Sequence, residues 1–336
     1  MNTLSRTLKN RVPLGIVGGF IIGFGVHSML TLAPSAHGAT FEPPFRETGK
    51  YEYISPLLMC GSRENAQFKE YKDFESRLRE VVNAEKEAGR AREISVYFRD
   101  IRGRALGINE NEKYAPASLL KVPLMITYLR EAEKHPGLLS KQLFYDGSLD
   151  LNEIEDYKPT NPLKPGWHTI DEFITAMITD SGNNSLNVLY QHMSDDAISE
   201  VFNELGLSPP PLDRGDTDYL SPKSYSFFLR VLYNATYLSA EDSEKALELL
   251  AQTTFKVGLR ASVPSGIEVA DKFGERTTYT PDGAVVERQL HDCGIIYHPR
   301  QPYLLCIMTR GKDFDQLAHA IQAVGKVVYD EMDKIK

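Results

Sequence analysis

A chain of 336 residues, 42% hydrophobic and 25% charged, is long enough to bury an ample core and too apolar for disorder over any long stretch. Its formal net charge of −8, without a basic stripe, excludes a general nucleic-acid binder. Three cysteines, Cys60, Cys293 and Cys306, make no disulfide framework and match no zinc spacing, so no metal and no cofactor is assigned.

Arg6, Lys9 and Arg11 precede an apolar run over residues 12–34, about the length a helix needs to cross a bilayer. Residues 1–40 therefore read as a membrane anchor, with a cleaved secretory signal as the alternative because Ala33 to Ala39 is rich in small residues. In either case the basic residues hold the N-terminus inside, so residues 40–336 are expected outside the cytoplasm, in a periplasm or at the cell surface, or secreted if cleavage occurs. Residues 41–64, with Pro43 and Pro44, read as a linker.

The globule is expected over residues 65–336. Phe68, Tyr71, Phe74, Leu78 and Val82 recur at helical spacing and predict a long helix over 65–88. Ile94 to Phe98 alternates around a β-rich core, Asp100 to Gly103 turns the chain, and Ala105 to Asn109 returns as a second strand. Residues 111–257 read as a helical lobe broken by prolines. Strand signals resume at Ile267, with Pro281-Asp282-Gly283 as a turn, and Leu317, Ile321, Val324 and Val328 mark one face of a last helix over 313–335. Early strands, a helical middle, then late strands and a helix fit an α/β (α+β) architecture: one antiparallel sheet built from residues 65–110 and 258–336, with the helical lobe inserted. With Tyr297 opposite Tyr303 in a hairpin, Cys306 points to the sheet face away from Cys293, so these two are expected not to bond.

Three short motifs carry chemistry. Ser118-Leu119-Leu120-Lys121 puts a hydroxyl and an amine one turn apart on a helix face, inside the apolar run Leu119 to Leu129. A lysine there is partly desolvated, its pKa falls, and it can accept a proton from a neighbouring serine. Ser181-Gly182-Asn183 follows the amphipathic run Ile170 to Ile178, and Lys272-Phe273-Gly274 ends the strand signal that begins at Ile267. Read alone, Ser181 and Asn183 also suit a helix N-cap, and Lys272 a solvated strand position. His291 and Asp292 lie in no G-x-S-x-G context, so a Ser/His/Asp triad is not expected.

Taken in that order, S-x-x-K, S-x-N and K-x-G, the chain resembles the penicillin-interacting serine enzymes, and most closely the class A β-lactamase family. The resemblance covers the chain from about Gln67 onward. It implies a β-lactamase/transpeptidase-like fold, with a five-stranded antiparallel sheet flanked by helices, an inserted all-helical lobe, and the site in the cleft between them. It also implies a serine acyl hydrolase acting on β-lactam amides through an acyl-enzyme on Ser118. The alternatives are a D,D-peptidase acting on D-alanyl peptides of peptidoglycan and a penicillin-binding sensor or inactive binding module.

On this resemblance Ser118 is the nucleophile, Lys121 its base or the partner of that base, Ser181 a proton relay to the leaving nitrogen, and Lys272 the positive charge toward the substrate carboxylate and the Ser181 hydroxyl. Asn183 orients Lys121 and the substrate amide, Gly274 and Glu275 are substrate-binding residues with it, and the backbone N–H groups of Ser118 and Glu275 hold the oxyanion. Three positions depart from the family pattern. Gly182 stands where the family has an aspartate, and Phe273 stands where it has a hydroxyl residue. The interval Gly206 to Thr217, where the family carries a deacylating glutamate, offers only Asp213 and Asp216.

Overall fold

The computed structural model describes residues 45–47, 49–59, 69–211 and 217–334. The apolar run over 12–34, Cys60, Asp213 and Asp216 lie outside the described residues. Among those described, no helix is long and apolar enough to cross a membrane.

The stretch read as a linker is partly docked. Strand β1 (Phe45–Arg46) pairs antiparallel with β2 (Leu57–Met59). Between them, the N–H groups of Glu52, Tyr53 and Ile54 donate to the Glu244 carboxylate, and those of Ser55 and Leu57 donate to the carbonyls of Tyr233 and Asn234. With Ile54 buried against the helical lobe, this segment is held in place by backbone hydrogen bonds that its composition does not announce.

Helix α1 (Lys69–Glu87) leads into β3 (Glu93–Asp100) and β4 (Ala105–Ile108). A 3-10 turn, Ala117–Leu120, runs into α2 (Lys121–Lys134), and β5 (Gln142–Tyr145) follows. After a second 3-10 turn, Leu151–Ile154, come β6 (Gly166–Thr169) and helices α3 (Ile170–Thr179), α4 (Asn183–Gln191), α5 (Asp195–Glu204), α6 (Pro222–Tyr233) and α7 (Ala240–Ala251). The chain closes with β7 (Val269–Tyr279), β8 (Val285–Ile296), β9 (Tyr303–Gly311) and α8 (Phe314–Met332).

Local chemistry fixes several helix starts. Thr169 and Glu172 form a reciprocal capping box on α3, Ser194, Ser221, Ser239 and Asp313 cap α5, α6, α7 and α8, and Pro222 occupies the first turn of α6. The helical lobe also carries a small antiparallel ribbon of β5 and β6, whose exposed Phe144 and Trp167 rings meet at 5.3 Å.

The main sheet has the order β4-β3-β9-β8-β7, with every pairing antiparallel. Both faces are buried. Tyr97, Ile295, Leu304 and Met308 face the helical lobe, whereas Val96, Phe98, Leu305 and Ile307 pack with residues of α1 and α8. Strands β4 and β7 are the edges, and β7 packs at Gly274 against the turn Ala117–Leu120.

The β8–β9 hairpin corrects the expected register. Ile296, not Tyr297, opposes Tyr303, so Cys293 faces Cys306 and the two form a disulfide. A one-residue slip turns a strand's side chains to the other face, and here it brings both sulfurs onto the face of the helical lobe. The row continues through Lys272, opposite Cys293, so the disulfide lies beneath the K-x-G motif.

Candidate active site

Four elements meet at the cleft. Ser118 lies in the 3-10 turn before α2 rather than in the α-helix itself, and Pro123 falls in the first turn of α2, where a missing N–H costs little. The chain enters through Ala117 in the left-handed region (φ 49°), and Ser181 takes the same unusual conformation (φ 56°). Neither is glycine, so both conformations are held by their surroundings and mark a site rather than a relaxed turn.

Ser181 is not a cap. Gly182 holds the N-cap position of α4 without a side-chain bond, which frees the Ser181 hydroxyl to sit between two amines. Its Oγ lies 3.0 Å from Lys121 Nζ and 2.9 Å from Lys272 Nζ. Lys121 also donates to the Ser181 carbonyl at 2.5 Å and to Asn183 Oδ1 at 2.8 Å. The helix and strand motifs therefore converge on one hydroxyl. Ser118 lies in the turn against which Gly274 of β7 packs, and is 8% exposed.

Electrostatics follow from burial. Lys121 and Lys272 are both fully buried. Burial pushes Lys121 down to about 8, opposed by Glu155 and Glu275, and pushes Lys272 down to about 7, helped by the neighbouring charge of Lys121. Two ammonium groups sharing one hydroxyl repel, so the site holds one of them readily as a neutral amine near neutral pH. Burial also raises Glu275, to about 7, with the Glu155 carboxylate adding to the shift.

Lys272 is held from behind. Arg260 Nε bonds Asp271 Oδ1 at 2.7 Å, and its Nη2 spans the carbonyls of Leu250, Ala251 and Val269. Asp292 accepts the Leu259 N–H at 2.7 Å, and burial raises both carboxyls, Asp271 raising Asp292 further. His291 is structural too: burial lowers it to about 4, its Nε2 donates to the Ala115 carbonyl and its Nδ1 accepts the Thr309 N–H. This neutral tautomer fastens β8 to the segment before Ser118, and no triad forms.

Gly274 presses on the turn that carries Ser118. An added Cβ would lie 2.7 Å from the Pro116 carbonyl oxygen and 3.2 Å from the Leu119 nitrogen, both backbone atoms that cannot swing away. Gly274→Ala is expected to destabilise the protein by about 1–3 kcal/mol through overpacking. It should also displace β7 from Ser118 and slow any reaction there. A melting curve and an acylation time course on one preparation check both effects.

Sequence reasoning missed one carboxylate. Glu155, just after the turn Leu151–Ile154, places Oε1 2.6 Å from Asn183 Nδ2 and 3.9 Å from Lys121 Nζ. Its segment straps the cleft: Asn152 Oδ1 accepts the Asn183 N–H at 2.8 Å, the Tyr157 N–H donates to Glu275 Oε1 at 3.0 Å, and the Thr160 hydroxyl donates to Asp180 at 2.7 Å. Tyr157 also sets its ring edge-on against Phe255 and Phe273. Phe273, which lacks the family hydroxyl, stacks on Phe255 at 4.0 Å with its ring 4.2 Å from Lys272 Nζ. No local pattern around Glu155 signals this, because Asn152, Asn183 and β7 meet only in the fold.

Known structures share this architecture. PBP-A aligns at 18% identity over 78% of this chain and 97% of that chain, with a TM-score of 0.64. A single-residue variant of PBP-A, solved as an acyl-enzyme complex with penicillin G, aligns at 19% identity over 79% and 97%, with a TM-score of 0.64. A class A beta-lactamase from Mycobacterium abscessus aligns at 21% identity over 77% and 99%, with a TM-score of 0.63. At these identities the likeness establishes the fold alone. A search of curated proteins returned no match. The sequence model of one family, described as the beta-lactamase enzyme family, matches residues 73–332, and by that match the chain belongs to this family.

Proposed function

We propose that this chain is a serine acyl hydrolase that opens the amide of a β-lactam, or of a D-alanyl peptide, through an acyl-enzyme on Ser118. The observation that carries the reading is the Ser181 hydroxyl bridging Lys121 and Lys272, with Ser118 in the turn that leads into Lys121. In this reading the neutral Lys121 amine takes the Ser118 proton as Oγ attacks the carbonyl carbon. The oxyanion is held by backbone N–H groups of Ser118 and Glu275, whose strand Gly274 allows to press close. Ser181 then passes a proton from Lys121 toward the leaving nitrogen. A substrate carboxylate arriving near Lys272 favours its ammonium form and is drawn to it.

The variant of PBP-A captured with penicillin G supports a β-lactam as a ligand class for this fold. A second reading, a penicillin-binding sensor or binding module, is favoured by one observation: Lys272 is wholly buried, with Phe273 beside it, so turnover requires the strap to yield. The basic residues before the apolar run over 12–34 support a membrane tether with the catalytic domain outside the cytoplasm. Labelling by a fluorescent penicillin, compared between the full-length protein and Ser118→Ala, tests the reading. The label is expected on the first and absent from the second, and equal labelling would overturn it.

A further inference from the structure

We propose that Glu155 is a catalytic base, the carboxylate that activates water to clear an acyl group from Ser118. This inference rests on the serine reading above and adds a residue from the strap before the second motif. The interval Gly206 to Thr217 contains no glutamate, and its two carboxylates, Asp213 and Asp216, lie outside the described residues.

Glu155 has the features that such a base needs. Its side chain is 8% exposed, within reach of the amine that serves Ser118, and anchored through Oε1 on Asn183. Its second oxygen, Oε2, is buried without a hydrogen-bond partner. A buried carboxylate oxygen left unpaired keeps its full demand for a donor. Water is the natural donor for it. Lys121 and Lys272 favour the ionised form, whereas burial makes that form more basic than an exposed glutamate.

The step balances within the site. The water oxygen bonds to the ester carbonyl carbon as its proton passes to Glu155 Oε2. The tetrahedral oxyanion collapses, the bond from carbon to Ser118 Oγ breaks, and Oγ receives the proton returned from Glu155 by way of Lys121. A free acid leaves, and Glu155 is again a carboxylate. The strap's anchors, Asn152 on α4, Thr160 on Asp180 and Tyr157 on the Phe255 and Phe273 rings, hold this base on both sides of the cleft.

The test is Glu155→Gln in the full-length chain, incubated with benzylpenicillin and followed by intact mass. The variant is expected to form the adduct and to keep it at least about 10²-fold longer than wild type. Hydroxylamine, a stronger nucleophile that needs no base, should then clear the variant's adduct as a hydroxamate far faster than buffer does. An adduct with wild-type lifetime would overturn the role of Glu155 while leaving the serine reading intact. So would one that resists hydroxylamine as it resists water, since the variant would then have closed the site rather than removed a base. No adduct and no penicillin consumption in either protein would overturn the serine reading itself, and the role of Glu155 with it.

Discussion

Lys121→Met is expected to slow acylation of Ser118 by about 10³-fold, the scale of a positioned general base. The amine donates to both oxygens of Ser181 and to Asn183, and nothing else in the cleft lies in its place on the same helical turn as Ser118. Methionine has nearly the same length and no ionisable group, so packing in α2 is largely kept while the proton acceptor is lost. The wild-type rate should climb as pH rises through about 8, because the neutral amine is the active form and burial has lowered it to that range. Stopped-flow acylation of wild type and variant across that range measures both effects. A variant within tenfold of wild type, or a wild-type rate flat through that pH, would contradict the assignment of Lys121 as the base.

Arg260→Leu is expected to cost about 3–5 kcal/mol of stability, because it strips the guanidinium from the buried Asp271 carboxylate. Asp271 and Asp292 are both fully buried, and burial raises both carboxyls. Without the guanidinium, Asp271 must take up a proton or remain as an unpaired charge behind Lys272, and three backbone carbonyls lose their donor. Adding Asp271→Asn should recover part of the loss, since the uncompensated charge is then removed while the carbonyls stay unpaired. Urea unfolding of the two variants checks this. An Arg260→Leu protein within about 1 kcal/mol of wild type would show that the arginine pairs with nothing that matters to folding.

Much of this architecture is legible in the sequence because it rests on periodicity and on order. Tyr71, Phe74, Leu78 and Val82 give α1, alternation around Val96 gives β3, and the three motifs fall where a strand, a turn and two helix starts meet. What stays hidden depends on one-residue details or on contacts between distant segments. The hairpin after β8 pairs Ile296 with Tyr303, and that single step turns Cys293 and Cys306 toward each other. Residues 49–59 look like a tether because their docking is made by backbone groups on Glu244, Tyr233 and Asn234, which leaves no hydrophobic pattern. Phe273 reads as a lost hydroxyl, yet in the fold it anchors the strap through Phe255 and Tyr157. Glu155 follows from that anchor, and only the tertiary structure makes it a neighbour of Lys121.

The most direct measurement is the mass of the full-length protein after brief exposure to benzylpenicillin, with the adduct mapped by peptide sequencing in wild type and Ser118→Ala. One penicillin on the peptide containing Ser118, absent from the alanine variant, is the predicted result. An adduct on any other residue, or consumption of penicillin that persists in Ser118→Ala, would contradict the account.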